Sequence, residues 1–405
     1  MYQVDNPKNS YKNTAHAFFL ALAITIAEPS TILPLIIHHF SDSVVMVGLF
    51  TSLLRGGAIT IQLYAAFHAQ AYRRVLPYLR KVFFFRFLSW FAIGASIYLI
   101  GDNNKTLTLF AIGVGLFLFS FTAGFGAIYF KELQAKVFSK EYRGKAMANR
   151  QIAGATASII SGSVAGYVLN NYEPPESYAY LFMVSSLIMV IGFSLFATID
   201  EPPKEKILVK ERHFGIFIKN AVVILREDRR LQRQILALFL SYGYLLSLPF
   251  IILKANSSFT LTGWMLGGFI TIGMVGSILG STFLWRRVSD YEKMLSLSFI
   301  FLIIAFTIAL SADSIYQYAL IFFLIAIGVD GLSNSGMNLV IEIAPEDKRP
   351  IYTALQTNIV SFGLFFPILG GVILKITDSY SLIYGLTISL LSFGFFVSLK
   401  LSRGN

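Results

Sequence analysis

The sequence predicts an all-α polytopic membrane protein, with twelve transmembrane helices arranged as two six-helix pseudo-repeats. Three observations predict it. Of 405 residues, 55% are hydrophobic and only 14% are charged, with a mean hydropathy of +0.66. So little charge cannot cover the surface of a soluble domain. The apolar residues fall into twelve runs of about 20 residues, the length a helix needs to cross a bilayer. The basic residues gather in alternate links between those runs, as they do in membrane proteins of defined orientation. The 38 Phe and 20 Tyr do not fall into the alternating strand pattern of an outer-membrane barrel.

The runs lie near 14–38, 43–68, 82–101, 106–130, 146–169, 178–199, 234–255, 262–285, 294–312, 316–342, 351–376 and 379–399. Short links follow odd-numbered runs, as at Gly101 to Lys105, Asn170 to Ser177 and Ser311 to Ser314. Longer basic links follow even-numbered ones. With both termini in the cytoplasm, 29 of the 33 Lys and Arg face the cytoplasm; Lys105, Lys254 and Lys375 lie outside, and Arg55 falls within a run. This bias predicts a multi-pass protein of the cytoplasmic (inner) membrane with both termini inside. It also assigns the net charge of +11 to topology, so no nucleic-acid partner is expected. Met1 to Lys12 is polar, and no small-residue cleavage site follows run 1, unlike a cleaved signal. The absence of cysteine excludes disulfides, thiolate metal sites and a cysteine nucleophile.

Run 1 holds Glu28 between apolar neighbours, followed by Pro29 and Pro34. A carboxylate in hydrocarbon costs several kcal/mol and is expected to face a polar cavity or a partner. Each proline removes a backbone donor, so Pro29, Pro34 and, in run 7, Pro249 are expected hinges. Run 2 holds Arg55 and Gln62. Glu28 and Arg55 each stand about ten residues from an outer helix end, roughly 15 Å deep, and are expected to pair across adjacent helices. Tyr242 and Tyr244 in run 7 are polar cavity candidates. Run 10 has the most polar interior of the chain, Gly328-Val-Asp330-Gly331-Leu-Ser333-Asn334-Ser335-Gly336-Met-Asn338. Asn334 and Asn338 are one turn apart and share a face, below Asp330. Glu342, at the inner end of run 10, is expected to snorkel or to pair with Arg349, and Arg150 to mark only the start of run 5.

The longest basic link, 200–233, opens with Glu201-Pro202-Pro203, a linker signal. Phe214, Phe217, Ile218, Ala221, Ile224 and Leu225 follow at helical spacing, predicting an amphipathic helix on the inner leaflet. Three regions result: a six-helix bundle over 1–199, the linker over 200–233 and a second bundle over 234–405. The bundles look like copies. Leu33-Pro34-Leu35-Ile36-Ile37 matches Leu248-Pro249-Phe250-Ile251-Ile252, and Gly48 falls opposite Gly263 at the same offset. Ser139-Lys140-Glu141-Tyr142-Arg143 pairs with Pro345-Glu346-Asp347-Lys348-Arg349, each ahead of a run ending in Gly166 or Gly371. Residues that a scaffold needs recur in both copies. Glu28, Arg55 and Asp330 do not: their counterparts are Gly243, Ile270 and Gly124.

On the six-plus-six layout, the basic link between runs 2 and 3 and the Arg143-Gly144 turn entering run 5, the chain resembles the major facilitator superfamily over essentially its whole length. The link motif departs from the family pattern of Gly, Asp, a basic residue and Gly. It reads Ala66-Phe-His-Ala-Gln70-Ala-Tyr-Arg73-Arg74 in the first half, and in the second Arg286-Arg287-Val-Ser-Asp290-Tyr-Glu-Lys293, which keeps the Asp. The antiporter motif Gly-Pro-x-x-Gly-Gly is absent from run 5, which has Gly154, Gly162 and Gly166, and only partly present in run 11 as Pro367-Ile-Leu-Gly370-Gly371. Close helix packing through small residues accounts for both glycine sets. The resemblance implies a central cavity lined by runs 1, 4, 7 and 10, and charged latches at the cytoplasmic ends, here Arg73, Arg74, Arg143, Asp290 and Arg349.

These readings converge on a secondary active transporter of a small molecule. It works by alternating access around Glu28, Arg55 and Asp330, coupled to protons through its buried acids, with export one possible direction and the direction itself left open by the sequence. Expected partners are the small-molecule substrate, protons and the bilayer, and the protein is expected to be a monomer. No cofactor or metal is expected: the five His residues, His16, His38, His39, His68 and His213, are scattered. An enzyme is not expected, because no phosphate-binding loop, Ser-His-Asp or zincin pattern is present and the outer links are too short for a site acting on lipid-linked substrates. The alternatives are a uniporter or anion carrier using Arg55, and a non-transporting membrane receptor with the same fold.

Overall fold

A computed structural model describes residues 5–28, 30–69, 72–204, 223–288, 290–345 and 349–402. Among them there is no strand, and eleven helical stretches are long and apolar enough to cross a membrane. The first run is the twelfth. It is divided into α1 (Pro7–Ile26) and α2 (Ile32–Phe40), neither of which meets that measure alone. Pro29 and Gln70 lie outside the described residues, as does the surface helix expected over 214–225 except for its end, where 223–227 is helical.

Five of the twelve runs are interrupted. Run 2 divides at Gly57-Ala58 into α3 (Val44–Gly56) and α4 (Ile59–Ala69). The other seven are continuous, four in the first half, α5 (Leu76–Leu99), α6 (Lys105–Val137), α7 (Lys140–Asn171) and α8 (Glu176–Ala197), and three in the second, α12, α13 and α16 below. Run 7 forms α9 (Arg229–Ser241), a 3₁₀ turn (Tyr242–Leu246) and α10 (Leu248–Ser258). Run 8 forms α11 (Gly263–Leu279), a π turn (Gly280–Leu284) and a short 3₁₀ turn (Trp285–Arg287). Then come α12 (Tyr291–Leu310) and α13 (Ile315–Ile343). Run 11 forms α14 (Arg349–Val360), a 3₁₀ turn (Ser361–Phe365) and α15 (Phe366–Thr377), and α16 (Tyr380–Ser402) closes the chain.

The prolines account for where three breaks fall. Pro34, Pro249 and Pro367 each stand in the first turn of the half-helix that follows a break. A first-turn N–H has no helical partner, so its loss costs nothing there, whereas one turn earlier the same residue would interrupt a continuous ladder. The repeated sequence Leu33–Ile37 and Leu248–Ile252 is therefore the same object twice: the buried start of a half-helix after a break.

The chain forms two compact units. The first comprises Met1–Asp42, Leu53–Lys210 and Thr262–Thr271; the second comprises Ser43–Ser52, Glu211–Leu261 and Ile272–Asn405. In the first, α1 packs on α7 and α8, and α5 on α6 and α8. The buried indole of Trp90 donates to the Ser185 hydroxyl at 2.5 Å and packs on Phe119 and Phe182. The start of α11 belongs to this unit because Gly263 and Gly267 meet Gly162 and Gly166 of α7 almost backbone to backbone. A Cβ built on Gly162 would stand 2.6 Å from the Gly267 carbonyl oxygen. In the second unit, α12 packs on α13 and α16. The start of α3 joins it through the corresponding glycines, since a Cβ on Gly371 would stand 2.6 Å from the Val44 carbonyl oxygen. The glycines of runs 5 and 11 thus serve close helix approach.

Candidate functional site

Glu28 sits at the break between α1 and α2. Its carbonyl oxygen accepts from the N–H groups of Thr31, Ile32 and Leu33 at 3.3, 2.9 and 3.3 Å, which starts α2. Its carboxylate turns back onto its own chain, where Oε1 accepts from the Ser30 hydroxyl at 2.6 Å and the Ser30 N–H at 3.2 Å. A negative group at the N-terminus of a helix is favoured by the helix dipole. Arg55 occupies the last turn of α3, just before the Gly57-Ala58 break. The pair expected between them is not formed: no ion pair joins Glu28 and Arg55, and the buried Nε of Arg55 has no hydrogen-bond partner among the described residues. The contacts the carboxylate does make are local, to Ser30 two residues away and through Oε1 alone. The Arg55 break is held instead by α6, whose Ser120 hydroxyl accepts from the Ala58 N–H at 3.0 Å. Gln62, in α4, is half-buried and bonds to no described residue.

The second acid, Asp330, lies on α13 in the second unit. Its carboxylate accepts a short hydrogen bond from the Ser281 hydroxyl, in the π turn, and a longer one of 3.4 Å from Asn334 Nδ2. Asn338 Nδ2 donates in turn to the Asn334 carbonyl at 2.8 Å, so the three residues form one polar face. No cation lies within 4 Å of Asp330 among the described residues. Its counterpart in the other repeat, Gly124, is packing alone: a Cβ there would stand 2.6 Å from Ile61 Cγ2. Tyr242 opens the 3₁₀ turn of run 7 and covers Gly363, in the 3₁₀ turn of run 11, while Tyr244 is buried.

Of the expected charged latches, Asp290 pairs with Lys293 at 3.6 Å, within its own turn, and Arg143 bonds to backbone carbonyls. Arg143 Nη2 donates to the carbonyls of Ala135 and Phe138 at 3.2 and 3.3 Å, closing the turn between α6 and α7. The Arg73 carbonyl accepts from Lys136 Nζ at 3.2 Å and the Lys204 N–H at 3.0 Å, and Arg74 lies in the same link. Asp290 caps α12, accepting from the N–H groups of Glu292 and Lys293. The Arg349 side chain lies outside the described residues. Glu342 approaches Arg230 at 3.8 Å, and Arg230 also holds Glu292 at 2.9 Å.

Two constellations were not legible from the sequence. Glu201, read there as a linker residue, is 4% exposed. Its two oxygens accept from the N–H groups of Val75 and Leu76, both at 2.8 Å, at the start of α5, and Lys136 Nζ donates to Oε1 at 2.6 Å. Arg150 is likewise more than a helix-start residue. Its Nη1 donates to the Asn13 carbonyl, to Asn13 Oδ1 and to His16 Nδ1 at 2.9, 3.1 and 3.0 Å. The His16 ring lies among Phe83, Phe130, Phe193 and Phe196, and Arg86 covers Phe119 at 4.3 Å from its centroid. The hydrogen-bond partners lie 65 to 137 residues apart, and no short-range pattern carries them. The described residues contain no group of three or more His, Cys, Asp or Glu that could hold a metal ion.

The family model of the Major Facilitator Superfamily matches residues 15–366. No curated protein matches the sequence. Among solved structures, a bacterial homologue of the iron transporter ferroportin in its inward-facing state is similar at a TM-score of 0.72 and 14% identity, over 97% of this chain and 98% of that one. The POT family transporter PepTSo is similar at a TM-score of 0.72 and 13% identity, over 99% of both chains. The nucleoside transporter NupG is similar at a TM-score of 0.70 and 12% identity, over 97% of this chain and 99% of that one. At such identities the likeness is one of fold.

Proposed function

The chain belongs to the major facilitator superfamily and is a multi-pass membrane transporter of that type, and from this premise we propose that it is a proton-coupled secondary transporter working by alternating access, with a small-molecule substrate. The observation that supports coupling is that each unit carries, inside a membrane-spanning run, a carboxylate with no cation beside it among the described residues. Among them the Glu28 carboxylate is bonded by Ser30, and that of Asp330 by Ser281 and Asn334. An ionised carboxylate in a low-dielectric interior is costly unless it is paired, hydrated or protonated. With pairing absent, the acid exchanges a proton whenever its surroundings change from wet to dry, which is what alternating access does.

A second reading, an anion carrier in which Arg55 binds the substrate, is favoured by the unpartnered Arg55 Nε. The two separate in proteoliposomes. Candidate substrates are first selected by the rise in thermal stability that occupancy produces, and their flux is then measured with and without an imposed pH gradient. The proton-coupled reading expects flux to follow the gradient and Glu28→Gln to abolish that response while leaving the protein folded. The anion-carrier reading expects flux indifferent to the pH gradient, sensitive to membrane potential and lost in Arg55→Gln.

A further inference from the structure

We propose that Ser281 is a positioning residue for proton exchange at Asp330, and that the π turn Gly280–Leu284 is the device that presents it. The inference rests on the proton-coupled reading of Asp330 given above. A π turn places one more residue in its hydrogen-bonded ring than an α turn, and here it closes with the Trp285 N–H donating to the Gly280 carbonyl. Such turns are rare, appear mostly as single turns inside α-helices, and are frequent at functional sites. The side chain aimed here is Ser281, whose hydroxyl donates to Asp330 Oδ2.

The surroundings hold that aim. The indole of Trp285 donates to the Ile327 carbonyl of α13 at 3.2 Å, fixing the π turn against the helix that bears Asp330, one turn before it. Glycine permits the approach on both sides. A Cβ on Gly280 would stand 3.2 Å from Trp285 Nε1, and one on Gly331 would stand 2.5 Å from Trp285 Cζ2. Trp285 is 3% exposed and packs with Met294 and Ile327. Groups meeting this stretch of α13 include Ser281 and Trp285 from the π turn, Ser298 and Leu302 from α12, and Leu238 and Gln234 from α9, against Gly336. None of these carries a charge. The nearest cations along the π-turn chain, Arg286 and Arg287, are exposed beyond Trp285, and Arg230, Glu292 and Glu342 bond among themselves. Ser281 is therefore the strongest donor to Asp330, with Asn334 as the weaker one, and proton uptake there competes directly with the Ser281 hydrogen bond.

A donor to a carboxylate favours its ionised form, so removing the donor makes the proton easier to take up. The test uses the full chain in proteoliposomes, with the initial rate of pH-driven uptake followed across pH. Ser281→Thr and Ser281→Val share one shape and differ in the hydroxyl, and Ser281→Ala adds a smaller side chain. The expected result is a wild-type profile in Ser281→Thr. In Ser281→Val and Ser281→Ala the half-maximal point moves to higher pH by about one unit, the size expected for loss of one hydrogen bond to a charged group. Asp330→Asn is expected to lose pH-driven uptake altogether. If Asp330→Asn loses coupling but Ser281→Val keeps the profile of Ser281→Thr, the positioning role is overturned and the coupling role of Asp330 stands. If Asp330→Asn keeps its coupling, the reading of Asp330 itself fails, and the positioning role with it.

Discussion

Three carboxylates, Glu201 buried and Glu28 and Asp330 half-buried, meet three different fates, and the difference lies in their nearest donors. Glu201 receives two backbone N–H groups and an ammonium. Glu28 receives its own neighbour, Ser30, and Asp330 receives a hydroxyl and an amide. Only the first is a fully compensated ion, and only the first is best read as structural. Its substitution is therefore expected to act on stability rather than on coupling. Glu201→Gln removes the charge opposite Lys136, whose side chain is 10% exposed, and breaking such a buried pair costs about 3 kcal/mol. Thermal unfolding of the purified protein is expected to show this loss. Lys136→Met in the same background should recover part of it, because the orphaned ammonium is then gone. The sequence exposed Glu28 and Asp330 because each is an acid inside an apolar run, a local contrast. It concealed Glu201 because an acid beside two prolines at the edge of a run looks like any linker, and its partner Val75 is 126 residues away.

At the scale of elements, periodicity and length located the apolar runs, while the interruptions within them came only partly from the sequence. Prolines 34 and 249 marked two of them, one residue pattern twice, yet each break lies ahead of its proline rather than at it. The same signal stood at Pro367, where the 3₁₀ turn Ser361–Phe365 precedes it. The breaks at Gly57-Ala58 and at the π turn carry no proline. They coincide with tertiary bonds, Ala58 to Ser120 and Trp285 to Ile327, which no local pattern encodes. This picture makes a definite statement about Pro249. Alanine there restores an N–H that can bond backward across the 3₁₀ turn Tyr242–Leu246, favouring a straighter run 7. Pro249→Ala is expected to leave thermal stability unchanged or higher while slowing the transport cycle. A fall in stability with an unaltered rate would show that the break is a static fixture.

For the whole molecule, the governing sequence signal is the placement of charge. The six-plus-six layout was legible because the bilayer constrains every spanning segment in the same way. Length sets the runs, and the excess of Lys and Arg sets which links share a side. The assembly of the two units was less legible, because the short segments Ser43–Ser52 and Thr262–Thr271 join the unit opposite to the rest of their own runs through backbone contacts at glycines. Orientation is where the charge argument can be tested alone, and the chain is suited to it, since it has no cysteine to give a background. Single cysteines at Asn103 and Ser311, in short links, and at exposed Arg287, in a basic link, should report opposite sides. If the basic links are cytoplasmic, a membrane-impermeant maleimide labels Asn103→Cys and Ser311→Cys in intact cells and reaches Arg287→Cys only after permeabilisation. The converse pattern would invert the protein. Because the bias involves 29 of 33 basic residues, no single substitution among them is expected to reverse the labelling, whereas neutralising several in the links after runs 2 and 4 together should begin to.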